Sequence, residues 1–161
     1  MIKITDEIRH TKEYSELTQI LKNTKNTRPI LVSGLCEGAE SAFALSVCED
    51  CRDSGVLIVM PDEKKANRIA NVLTSYGVET RTFLYRDMLL RNIASAHEPE
   101  HERLRTLCTL LNAGCDAVVT TSDAMLQFTI SPEKLDESSM TIRFDEEYNV
   151  EEIVAFLEKN K

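Results

Sequence analysis

Short, uninterrupted apolar runs separated by stretches of helical periodicity restrict this chain more than any other feature. Ile30-Leu31-Val32, Val56–Met60 (VLIVM) and Cys115–Thr120 (CDAVVT) have little of the in–out alternation of a half-exposed strand. Runs of this kind suit parallel strands buried on both faces by helices. Between them, Ala66, Ile69, Ala70, Leu73 and Tyr76 recur at spacings of three and four, as do Leu104, Leu107, Cys108 and Leu111. Each set makes one apolar helix face. Strands alternating with helices predict an α/β fold: a mainly parallel sheet with helices on both faces and right-handed crossovers.

Local signals place the boundaries. The spacing of Tyr14, Leu17, Ile20 and Leu21 predicts one amphipathic helix within residues 1–28, followed by a polar connector from Asn23 to Arg28. Pro29 opens the first strand, and a helix over about residues 39–53 ends at Ser54-Gly55. Asp62 is placed to cap the helix after VLIVM, and Gly77 to end it. Residues 80–85 form a third strand, and Pro99 suits the first position of a helix running to about residue 113. Ser122 and Ser131-Pro132 are further helix starts. Met140–Phe144 alternates and predicts a half-exposed strand outside the main sheet. Asn149 with Glu152 then resembles a capping box before a helix with Val150, Ile153, Val154 and Leu157 on its apolar face.

The turn after the first run is where a phosphate-binding loop would sit, between a buried strand and a helix start. Against the pattern G-x-x-x-x-G-K-[ST], Gly34 takes the first glycine place and Ser41 the hydroxyl place, with Gly38 between them. The second glycine place holds Ala39 and the lysine place holds Glu40. A carboxylate about 4 Å from a phosphate charge, at an effective dielectric near 20, repels it by on the order of 4 kcal/mol. The loop, Gly34, Gly38, Ala39, Glu40 and Ser41, therefore reads as vestigial, with no bound cofactor expected.

With 161 residues, 42% hydrophobic and 29% charged, the chain can bury a full core as a single domain of ordinary size. No apolar run approaches the roughly 20 residues that span a bilayer, and MIKITDEIRH has no secretory signal core, so a cytoplasmic location without membrane contact is expected. The net charge of −8 opposes grip on a nucleic-acid backbone. Residues 133–161 carry nine Asp/Glu and four Lys/Arg, so −5 of that charge lies in the last stretch. It reads as a solvated acidic face, or more sharply as a docking surface for a basic partner.

Five cysteines in a chain without an export signal read as reduced thiols. Cys48 and Cys51 have redox-pair spacing but fall deep in a predicted helix, whereas a reactive thiolate wants the helix N-terminus; packing is expected. His97 and His101 have the spacing of a metal pair, yet Pro99 separates them at a helix start, so no metal site is expected. Asp145-Glu146-Glu147 reads as a solvated turn rather than an acid–base pair. Ser33, Ser41 and Ser122 have no nucleophile-elbow context, so no catalytic residue is expected.

Three stretches in order resemble the N-terminal region of the bacterial transcription-repair coupling factor, a relative of the excinuclease subunit UvrB. They are the strand-loop-helix from Pro29 to Val47, VLIVMPDEKKANRIANVL, and the segment from Arg86 to Gln127. The last leads from an acidic, His-containing stretch into an Arg-Leu helix, a valine-rich strand and a Ser-x-x-x-Leu turn. The resemblance spans essentially the whole chain and rests on order and spacing rather than on one motif. It implies a P-loop NTPase-like (RecA-like) domain whose ATP site has decayed. UvrB carries a tyrosine-rich DNA clamp where this chain has only Tyr85 among aromatics, which favours the coupling factor.

It also implies that residues 1–138 are the first part of a discontinuous domain, and that residues 139–161 open an inserted domain, most of it missing here, that binds UvrA. The module would be a scaffold that packs on the rest of its parent chain and restrains it. DNA, RNA polymerase, ATP and magnesium would be engaged through the parent's other domains, those of an ATP-dependent DNA translocase. The alternative is an active nucleotide-binding enzyme whose loop works through backbone N–H groups without the lysine.

Overall fold

A computed structural model describes residues 4–22, 28–36, 38–86, 98–112 and 114–159. They fall into two compact units, Met1–Gln127 and Phe128–Lys161. The first holds α1 (Ile4–Arg9), α2 (Lys12–Lys22), α3 (Ala39–Asp50), β1 (Val56–Met60), α4 (Glu63–Ser75), β2 (Thr80–Phe83), α5 (Glu98–Asn112), β3 (Ala117–Thr121) and α6 (Ser122–Met125). The second holds α7 (Pro132–Glu137) and α8 (Val150–Lys159).

The sheet has three parallel strands in the order β1-β3-β2. Val56 pairs with Ala117 and Met60 with Thr121 on one side of β3; on the other, Thr80 pairs with Ala117 and Phe83 with Thr120. The central strand, AVVTT, is buried along its whole length, as its lack of alternation requires. Ile58 and Val119 lie in register and face α3 and α4, where they pack with Leu45, Cys48, Ala66, Ile69, Ala70 and Leu73. The opposite face carries Val59, Thr120 and Phe83, also in register.

On that second face Arg103 of α5 lies with its guanidinium carbon 3.8 Å from the centre of the Phe83 ring. Thr106 one turn later donates to the carbonyl of Thr82 at 2.8 Å. Helix α5 therefore covers β2 on this face and leaves β1 open. Leu57 and Val59 remain 57% and 47% exposed.

Helix starts follow the capping residues. Asp62 Oδ1 accepts from the N–H of Lys65 at 2.8 Å, Thr121 Oγ1 from Ala124 at 3.3 Å, and Ser131 Oγ from Lys134 at 3.3 Å ahead of Pro132 at the first helical position. Asn149 Oδ1 accepts from Glu151 at 2.9 Å, one residue earlier than the expected capping box.

Several expectations are corrected. Ile30-Leu31-Val32 is not a strand: residues 29–36 run as irregular chain, with Leu31 91% exposed. Three apolar residues in the wake of a proline supply too little ladder to hold a strand without a paired neighbour. The expected N-terminal amphipathic helix is α2, but a further helix, α1, precedes it; His10-Thr11 turns the chain between them, and Thr11 Oγ1 accepts from the N–H of Tyr14 at 3.2 Å. Residues 140–144 form no strand; Tyr148 Oη bonds both the N–H of Arg143 (3.0 Å) and the carbonyl of Thr141 (3.3 Å), holding the segment in a local turn. The sheet, though parallel, is small. Most of the interval from Arg86 to Glu98, with His97 and its expected separation from His101, lies outside the described residues.

Candidate functional site

Helix α3 begins at Ala39, directly after Gly38, whose φ of 91° lies in the left-handed region that a side chain would strain. Gly38 has no side chain to cap the helix; the Ala39 N–H donates to the Cys36 carbonyl at 3.0 Å, and no side-chain oxygen caps this positive end of the helix dipole. A cavity of about 350 Å³ opens there, lined by Gly38, Glu40, Ser41, Met60, Lys65, Arg68 and Ile69. It lies at the C-terminal end of β1, between α3 and the first turns of α4, where ligands sit in open parallel sheets.

Of the five residues of the expected loop, Gly38, Glu40 and Ser41 line this cavity, with Ala39 beginning the helix between them. Gly34 does not reach it; it lines a separate apolar groove of about 510 Å³ beside α2 and Phe43. The loop is therefore split. A cradle needs both glycines around one anion, and here only its second half faces the cavity.

Glu40 occupies the first turn of α3 and is exposed. There it complements the helix dipole, which is where acidic side chains stabilise a helix, while it repels a phosphate aimed at the same N–H groups. Lys65 and Arg68 enter the cavity from α4, three residues apart on one face. Sequence reasoning passed over both. Their i, i+3 spacing beside the capping Asp62 was visible in KKANR, but their convergence on α3 is a tertiary fact.

A second polar cluster, also unforeseen, closes the C-terminal end of β2. Arg103 is 7% exposed, and its Nη1 donates to the carbonyls of Leu84 (2.8 Å) and Ala124 (3.4 Å). Burial, aided by Arg86, lowers its pKa. Arg86 itself ion-pairs with Glu100. The Gln127 side-chain amide accepts from the N–H of Arg86 at 2.9 Å and donates to its carbonyl at 2.7 Å, which continues the β2 backbone as a neighbouring strand would.

The remaining candidates stay apart. Cys48 is buried, and desolvation with the neighbouring Cys51 raises its pKa to about 11. Cys51, at the C-cap of α3, is raised as well, chiefly by burial, the reverse of a reactive thiolate. Among the described residues no group of three or more His, Cys, Asp or Glu side chains is placed to hold a metal. Asp145, Glu146 and Glu147 are exposed; Glu146 meets the hydroxyl of Tyr148 at 2.5 Å and Arg143 at 3.5 Å. Ser33 and Ser122 are exposed and lie away from the cavity at α3. Among the described residues no helix is long and apolar enough to cross a membrane.

No family model matches the chain, and neither a curated protein nor a solved structure is significantly similar to it.

Proposed function

We propose that this chain is a non-catalytic α/β module of the kind that opens bacterial transcription-repair coupling factors, built on a P-loop-like (RecA-like) plan whose nucleotide site has decayed. The observation that carries this reading is Glu40 in the first turn of α3, facing the cavity a triphosphate would need. The split between Gly34 and Gly38 supports it. The role is to scaffold: residues 1–138 pack against the rest of the parent chain, and an inserted domain opening near residue 139 recruits UvrA. RNA polymerase and DNA are partners of other domains of the parent.

Titration with a fluorescent ATP analogue and magnesium tests the decayed site. No saturable binding is expected; micromolar, magnesium-dependent binding overturns it. Residues 1–161 are expected to retain UvrA weakly or not at all in a pull-down, and stoichiometric retention would contradict that.

One observation favours a second reading, a working nucleotide-binding domain. Lys65 and Arg68 bring into the cavity the positive charge that the loop lacks. Nucleotide at 100 times its Kd would then stabilise the chain by about 2.7 kcal/mol, and Ser41→Ala or Lys65→Ala would abolish the shift.

A further inference from the structure

Strand β1 has an open edge. The N–H of Val56 donates to the carbonyl of Asp116 at 2.9 Å, which turns Val56, Ile58 and Met60 toward β3. Residues alternate sides along a parallel ladder, so the N–H and C=O groups of Leu57 and Val59 face away from β3, toward no strand of the described sheet. The strand reads VLIVM, without the charge, proline or bulge by which edges are ordinarily blunted.

Handedness says where the missing neighbour comes from. The β1-α4-β2 connection crosses from β1 past β3 with α4 over the Ile58 face. Helix α3 packs on that same face and leads into β1. A right-handed crossover on the same face runs in the same direction, so the chain entering α3 belongs beyond the free edge of β1. That chain is Pro29-Ile30-Leu31-Val32, apolar and unpaired. The start of α3 and the end of β1 share one cavity wall through Gly38 and Met60. The five residues between Val32 and Gly38 reach up to about 17 Å, ample for the roughly 5 Å step between strands. Gly34 and Gly38, at φ of 83° and 91° with open space where a Cβ would stand, flank that connection as swivels.

We infer that residues 29–33 are a strap with two positions: one wall of the open groove beside α2 and Phe43, as in this structure, and the free edge of β1, where it closes as a fourth parallel strand. Closure gives the N–H and C=O groups of Leu57 and Val59 their partners.

Amide hydrogen exchange on the whole chain tests this. In the wild-type protein the Leu57 and Val59 amides are expected to exchange about tenfold or more slowly than unprotected amides, independently of protein concentration. Consecutive strand residues aim their N–H groups to opposite sides, so one of Leu31→Pro and Val32→Pro must remove a bond to β1. That variant alone is expected to restore fast exchange at Leu57 and Val59, with the Ile58 amide, bonded within the sheet, unchanged. Unprotected exchange at Leu57 and Val59 in the wild type overturns the strap. So does protection unaffected by both variants, and so does protection lost on dilution, which would assign the edge to a second copy.

Discussion

Arg103→Ala is the most informative single perturbation of the fold. The guanidinium donates to the Leu84 carbonyl at 2.8 Å and more distantly to Ala124, and it stacks on Phe83 at 3.8 Å. A charged hydrogen bond contributes roughly 2 kcal/mol and a desolvated cation–π contact about 1 kcal/mol. Deleting the buried aliphatic stem costs about another 1 kcal/mol. Against these stands relief from desolvation and from the repulsion of Arg86, roughly 1 kcal/mol. The net loss is about 3 kcal/mol, or a fall in Tm of roughly 10 °C for a domain of this size. Urea unfolding followed by circular dichroism measures it. Arg103→Lys should recover only part, since an ammonium keeps the charge but not the planar stack. A loss below about 0.5 kcal/mol for Arg103→Ala would show that the cluster closing β2 does not hold the sheet, refuting the reasoning.

Three other outcomes are expected. The Tyr14 hydroxyl lies 2.7 Å from Asp50, and burial with that carboxylate raises its pKa. A phenol raised in the folded state contributes stability that is fully present below the unfolded value near 10 and is lost as pH climbs beyond it. Melts from pH 8 to 11 should therefore show an alkaline decline that Tyr14→Phe removes; a parallel decline in both proteins would contradict this. Timed alkylation with mass spectrometry should modify exposed Cys36 first and buried Cys48 only on unfolding, and early labelling of Cys48 would show that the α3–β1 core opens. Asp62→Ala should cost about 1 kcal/mol in chemical denaturation through loss of the α4 cap, and a neutral result would mean that water replaces the carboxylate.

What could be read in the residues was local. The strand at VLIVM, the Asp62 and Ser131 caps and the α4 stripe from Ala66 to Leu73 follow from side-chain chemistry within a few positions; the expected burial of VLIVM on both faces and of Tyr76 does not hold, since Leu57, Val59 and Tyr76 are exposed. The fate of Ile30-Leu31-Val32 did not, because an apolar triplet becomes a strand only when a neighbour supplies half of its hydrogen bonds. The same dependence dissolved the strand expected at 140–144, where the hydroxyl of Tyr148 competes for the backbone. Of the candidate site, Glu40 and Ser41 were visible as letters in a pattern. Lys65 and Arg68 were not, because only the packing of α4 against α3 and β1 carries them there. Buried Arg103 lay in the opposite blind spot: beside an apolar stripe that starts at Leu104, an arginine reads as solvated until a ring and two carbonyls surround it.

The paired hydrogen bonds between Gln127 and Arg86 have a mechanical consequence. Gln127 is the last residue of the first unit, and its amide grips the backbone where β2 ends. Tension entering along the polypeptide at that residue is thus shared by two routes, the covalent one through α6 into β3 and a lateral one into β2. A tug from downstream is spread over neighbouring strands rather than peeling one of them away.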